Sequence, residues 1–297
     1  MRRSLLYLLR QIRLLMLLLV ALLLGGQRVL HAEQRERAPA APKAQSKKPQ
    51  FVRLLRDEKG RPVALQTAVV SYAGRNARGE QVQVDLIGAI HIADRAYYQN
   101  LNRLFDQYDV LLYELVAPKG AQPQRGRAGL YAPIARFLGL ADQIEVIDYE
   151  KRHFVHADMS PEEFAASMRK KKESLLKMFF KLMGASMAQQ AAGGPSDAEL
   201  LIALLRQDKK QLRRVLAEQM AASQSILRAL EGEQGSTLIS ERNKVALKVM
   251  QEQIQKGHRK LGIFYGAGHL EDMDRRLREQ HGFRPIGRRW LTAWDLK

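Results

Sequence analysis

Two four-residue segments carry the residue types best suited to chemistry. Gly88-Ala89-Ile90-His91 follows the apolar run Val82 to Ile87, and Gly266-Ala267-Gly268-His269 follows Leu261 to Tyr265. In both, a strand-like stretch ends in Gly-x-x-His. A histidine just past a strand end sits where α/β folds place ligands and catalysis. Glycine there lets the backbone turn sharply or come close to a ligand. Two segments with one grammar, 178 positions apart between His91 and His269, predict two histidines that meet at a single site. A third candidate is Glu114, inside the apolar stretch Asp-Val-Leu-Leu-Tyr-Glu-Leu-Val over 109–116. A carboxylate there demands a partner, because burying it unpaired costs several kcal/mol. A metal ion, a histidine or an arginine would serve. Two histidines and a carboxylate can hold a divalent metal with positions left open for water or substrate.

Glu241-Arg242-Asn243 forms a further polar cluster. On a helix, successive residues point about 100° apart, so the three cannot face one site equally. Arg242 suits a carboxylate, which its planar fork binds in pairs. Glu241 also reads as an acid favoured by the helix dipole in a first turn. His153, His156 and Asp158 read as polar residues on a loop near a site rim, with a second metal site as the alternative, and His258 and His281 as surface residues. There is no Gly-rich phosphate loop, nucleophile elbow or His-Glu-x-x-His. Methionines recur at 159, 168, 178, 183, 187, 220 and 250. They read as adaptable core packing, with an apolar peptide or haem groove as the sharper alternative.

The elements that must position these residues follow from periodicity. Val63 to Tyr72 and Gln81 to Ile87 read as a hairpin around a long loop. Asp94 to Tyr108 has helical spacing, and Asp109 to Val116 is a buried strand, so a β-α-β unit starts at the first Gly-x-x-His and ends at Glu114. A short helix over Tyr131 to Leu140 and a strand over Ile144 to Tyr149 come next. Ser160-Pro161-Glu162-Glu163 is a helix start with a capping box. From about 160 to 257 the chain reads as an all-helical insertion broken at Gly193-Gly194-Pro195-Ser196, with helices from about Asp197 to Leu230 and from Thr237 to Lys256. A strand over Leu261 to Tyr265, a helix over Glu271 to Gln280 and a β segment over Phe283 to Trp294 close the chain. The fold class is α/β: a mixed sheet with strand-end Gly-x-x-His turns, split by a long helical insertion.

Composition sets the outer limits. At 297 residues and 46% hydrophobic content, the chain can build a sizeable core. It has no cysteine, which excludes disulfides, thiolate metal sites and cysteine nucleophiles. Residues 1–32 read as a signal peptide or N-terminal anchor: four early arginines, then the apolar run Leu14 to Leu24, then Leu30-His31-Ala32. That run is shorter than the roughly 20 residues of a membrane-spanning helix. Residues 33–50 read as a flexible linker, and 51–297 as the folded domain. Net charge is +18; residues 1–32 hold five arginines and no acid, so the remainder carries +13. The basic residues are scattered, without interleaved aromatics, so no nucleic-acid partner is expected. An anionic membrane surface is the partner such a charge would suit.

The order Gly88-Ala89-Ile90-His91, Tyr113-Glu114-Leu115, Glu241-Arg242-Asn243, Gly266-Ala267-Gly268-His269 resembles the TraB/PrgY/GumN family, over about residues 62–294 and including the tail Trp290-Leu291-Thr292-Ala293-Trp294. That family includes Tiki metalloproteases and is distantly similar to erythromycin esterases and ChaN-type haem-binding lipoproteins. The resemblance implies an α/β core with a helical insertion. It places His91, Glu114 and His269 in the active site as ligands of a manganese, cobalt or zinc-class ion, supported by Glu241, Arg242 and Asn243. The expected function is an exported, metal-dependent hydrolase, peptidase-like, acting on a peptide or protein in the periplasm, with anchoring to the inner membrane by an uncleaved N-terminal segment as the variant reading. The alternative is a non-catalytic peptide- or haem-binding protein of the cell envelope.

Overall fold

The computed structural model of the chain describes residues 50–124, 126–174, 202–231 and 235–297. The signal or anchor segment, the linker up to residue 49, the Gly193 to Ser196 break and Met178, Met183 and Met187 lie outside the described residues.

A seven-stranded mixed sheet forms the core. β2 (Pro62–Arg75) pairs antiparallel with β1 (Val52–Arg56), with β3 (Gln81–Ala89) and with β9 (Arg284–Asp295). Then come β8 (Lys260–Gly266), β5 (Val110–Tyr113) and β7 (Phe154–His156), all parallel to β3. A two-residue pair, β4 (Ile92–Ala93) and β6 (Ala141–Asp142), stands beside the first Gly-x-x-His. The hairpin β2–β3 turns more tightly than the pattern predicts. Asn76 Oδ1 accepts from the amides of Arg78 and Glu80, and Gly79 takes φ +77°. That local bonding lets the strands extend into the expected loop.

Both sheet faces are covered, giving three layers. One apolar cluster joins the sheet to α1 (Arg95–Phe105), α2 (Ala132–Leu138) and Leu212, Leu216 and Ala217 of α5 (Lys209–Glu231). The other joins it to Ala246, Leu247, Met250 and Ile254 of α6 (Arg242–Gln255), and to Leu270, Met273 and Leu277 of α7 (Leu270–Glu279). Met159 and Met250 are buried, so these two methionines pack as ordinary core. The described part of the insertion between β7 and β8 is helical, as expected; α4 (Pro161–Lys170) starts with the full Ser160/Glu163 capping box.

Three local readings are corrected. Gln143–Val146 is a single helical turn, α3, rather than a strand, because Asp142 Oδ1 accepts the Ile144 amide and caps it. Residues 154–156, read as a rim loop, form β7. The helix expected from Asp197 is interrupted at Gln207, which takes φ +53°. Asp208 then restarts it by accepting the Gln211 amide.

Candidate functional site

β8, late in the chain, lies between β3 and β5 in the sheet. The C-terminal ends of three parallel strands therefore lie side by side: β3 ending before His91, β8 before His269, β5 before Glu114. Ligand crevices arise at such edges in open α/β sheets.

α6 supplies the cations and amides. It is preceded by a widened π-type turn, Thr237–Glu241, in which the Glu241 amide donates to Ser236 O at 3.1 Å. Such turns often sit at functional sites. The apolar stripe of α6 runs through Ala246, Leu247, Met250 and Ile254, and Arg242 and Asn243 continue it at the helix start. They therefore point at the sheet edge instead of into solvent. Glu241, one step earlier, faces away; its carboxylate pairs with Lys171 at 3.1 Å and Lys244 at 2.9 Å. Glu241 is outside the constellation.

Arg242 joins two carboxylates. Nη2 donates to Glu114 Oε1 at 2.5 Å, while Nε and Nη2 fork onto Asp158 at 3.0 and 2.6 Å. Glu114 Oε2 accepts the Gly266 amide at 2.6 Å. Gly266 has an ordinary φ of −47°; its role is close approach. A Cβ there would lie 3.2 Å from Glu114 Oε2. Burial pushes the Glu114 carboxyl up, but Arg242 and the Gly266 amide outweigh it and hold the group below the usual carboxylate range.

His269 is 5% exposed and fixed from two sides. Asn243 Nδ2 donates to His269 O at 3.1 Å and to Asp272 Oδ2 at 2.9 Å. The amide is thereby oriented with Oδ1 toward the imidazole, 2.7 Å from Nδ1. An oxygen there accepts, so Nδ1 carries the proton and Nε2 holds the lone pair. Nε2 faces Glu114 Oε1 at 3.5 Å and Arg242 Nη1 at 3.4 Å. Burial, reinforced by Arg242, lowers its pKa to about 4 against the pull of Glu114. His269 is thus a neutral base with its tautomer set, beside an anionic Glu114.

His91 is arranged differently. It is exposed and stacks on Tyr131, ring centroids 5.0 Å apart. Its backbone carbonyl accepts the Gln143 amide at 2.9 Å. A charge on it would be felt by both Glu114 and Asp142. Three residues escaped the sequence reading: Asp272, which orients Asn243; Tyr131, the platform under His91; and Asp142; Asp158, read as a rim residue, is the buried partner of Arg242. Asp158 had a usable signal, since an acid following an apolar Val155 and Ala157 needs a cation. His153 and His156 bond backbone carbonyls of Phe105 and Leu115, a structural use.

The donor chemistry fits a divalent ion at two of its three expected ligands. His269 presents Nε2 with Nδ1–H tied to an amide, the arrangement of a metal-ligating histidine. Glu114 Oε1 lies at the separation of neighbouring ligands. His91 stands outside that pair: among the described residues no group of three or more His, Asp or Glu is spaced to hold a metal ion.

No family model, curated protein or solved structure matches the chain.

Proposed function

We propose that the chain is a peptidase-like hydrolase, with His269 as general base, Glu114 and Arg242 as its electrostatic partners, and His91 at the mouth of the site. The observation carrying this reading is the neutral, tautomer-fixed imidazole of His269, whose lone pair lies beside an arginine-clamped carboxylate at the C-terminal edge of the sheet. A water bound there gives its proton to His269 Nε2 as its oxygen attacks the scissile carbonyl carbon. Arg242 Nη1, 3.4 Å from both Leu238 O and His269 Nε2, is the group placed to receive the developing oxyanion. The proton then passes from His269 to the leaving amine as the C–N bond breaks. The exposed ring of His91 contacts substrate.

A manganese, cobalt or zinc-class ion, as the TraB/PrgY/GumN resemblance implies, would be held by Glu114 and His269, the two expected ligands that lie at neighbouring-ligand separation. It would supply a bound water acidic enough to ionise near neutral pH. The N-terminal sequence supports export to the periplasm, with retention at the inner membrane if the segment is not removed. The substrate class is a peptide or protein.

The test is turnover of a peptide library by the purified chain, with each of the three metals and with chelator. Hydrolysis should fall by about 10²–10⁴ in His269→Ala. Absence of turnover under every condition would end the reading. One observation favours a second reading: both Glu114 oxygens are already bonded, as in a structural ion pair. A non-catalytic peptide- or haem-binding protein would bind in calorimetry without turnover, unaffected by His91→Ala and His269→Ala.

A further inference from the structure

β9 hydrogen-bonds to β2 alone among the described strands, and its first six residues, Arg284 to Arg289, are all exposed. Across β2 from it stands β1. Arg53, Gln66 and Thr292 form a hydrogen-bonded row over the three strands, at 2.8 and 3.1 Å. Trp290 and Arg288 continue the same face by two-residue steps. The Arg53 guanidinium lies 4.2 Å from the Trp290 ring centroid, and that of Arg288 lies 5.9 Å from it. Ile286, at the irregularity in register, is 61% exposed. No carboxylate forms an ion pair with Arg53, Arg284 or Arg288 among the described residues, although many other arginines here are paired; exposed Arg289, one step from Arg288, turns to the other side of the strand toward Tyr108.

We propose that this β9 edge is a docking face for the anionic headgroups of a phospholipid bilayer. The arginines supply charge complementarity, worth several-fold in binding for each residue near an anionic surface. Trp290 and Ile286 supply the amphipathic and apolar groups suited to the headgroup level. An N-terminal segment retained as an anchor would bring this face to the bilayer. The described residues begin at 50, and Phe51 O accepts the Ala68 amide directly across β2 from Trp290. The apolar run Leu14 to Leu24 therefore joins the fold, through about 25 intervening residues, beside Arg53. Two other occupants fit less well. Strand addition by a second copy is opposed by an edge carrying three arginines. A stacked nucleic-acid base would need the Trp290 face that Arg53 already covers. The inference is independent of the hydrolase reading.

The chain has two tryptophans, and Trp294 is buried, so Trp290 reports on the face. The full chain is mixed with vesicles of phosphatidylcholine alone, or with one quarter phosphatidylglycerol, each containing a headgroup spin-labelled lipid. Quenching of Trp290 is expected with the anionic vesicles, is lost in Trp290→Phe, and weakens with salt. The triple variant Arg284→Ala/Arg288→Ala/Arg289→Ala should lose the quenching. It should also partition up to about 100-fold less, at roughly five-fold per arginine. Arg206→Ala/Lys209→Ala/Lys210→Ala, which removes equal charge around the start of α5, should keep it. The proposal falls if vesicle-bound chain leaves Trp290 unquenched, or if both triples behave alike. Equal quenching by neutral and anionic vesicles, or quenching traced to self-association in solution, would overturn it too.

Discussion

The two Gly-x-x-His segments share a grammar and end differently. At the β8 end the histidine is buried, its tautomer set by Asn243, its neighbours a carboxylate and a guanidinium. At the β3 end the histidine is exposed and rests on a tyrosine ring. The difference comes from what lies above each strand. α6 and α7 cover the β8 end and bring Arg242, Asn243 and Asp272 with them. The β3 end runs into the short β4–β6 pair and a loop, which bring Tyr131 and Asp142 close. Four-residue motifs fix the turn; the covering elements fix the chemistry.

That contrast can be broken by experiment. The largest effect should come from Arg242→Leu, which strands Glu114 and Asp158 as buried carboxylates with no cation. A loss of about 3–5 kcal/mol is expected, read by denaturant unfolding; a loss below 1 kcal/mol would mean the clamp is not formed. Next is Asn243→Ala, at about 2 kcal/mol for an unsatisfied buried Nδ1–H. In that variant the ¹⁵N shifts of His269 should show a mixture of tautomers where the parent shows Nδ1–H alone.

Acid should act on the same end. His269 has a pKa of about 4 when folded and an ordinary 6.5 when unfolded. The unfolded chain therefore takes up a proton first as pH falls below 6.5, and stability drops until the folded pKa is passed. Between pH 7 and pH 5 the loss from this group is about 2 kcal/mol. His269→Gln should flatten that part of the profile, and an unchanged profile would show the imidazole is not desolvated. Glu114, held low by Arg242, adds to the loss only below its own unfolded range. The smallest stability effect belongs to His91→Ala, within about 0.5 kcal/mol as for an exposed residue. Its effect should appear in turnover of peptide instead. A stability loss comparable to that of Asn243→Ala would erase the distinction between the two ends.

Much of the fold was legible in the sequence. Period-two apolar runs mark β2, β3, β8 and β9, helical spacing marks α1 and α7, and Ser160 to Glu163 announces α4. What local pattern missed has a common cause. α3 depends on one Asp142 side-chain bond that outweighs the apolar run over 144–149. β7 is only three residues long and exists because β5 lies beside it. The break at Gln207 follows from the Asp208 cap.

The sequence by itself determined which residues could carry chemistry: the histidine after each strand-end glycine, a carboxylate in an apolar strand, and an arginine–asparagine pair at a helix start. Those assignments rest on residue type and short-range spacing, which act within one element. Only the tertiary structure decided who meets whom. It inserted β8 between β3 and β5, gave Arg242 to Glu114 and Asp158 together, turned Glu241 to the lysines, and buried one histidine while leaving the other in solvent. Pairing across 84 residues, as for Asp158 and Arg242, or 128, as for Glu114 and Arg242, is fixed by strand order and helix packing, and no local spacing encodes it.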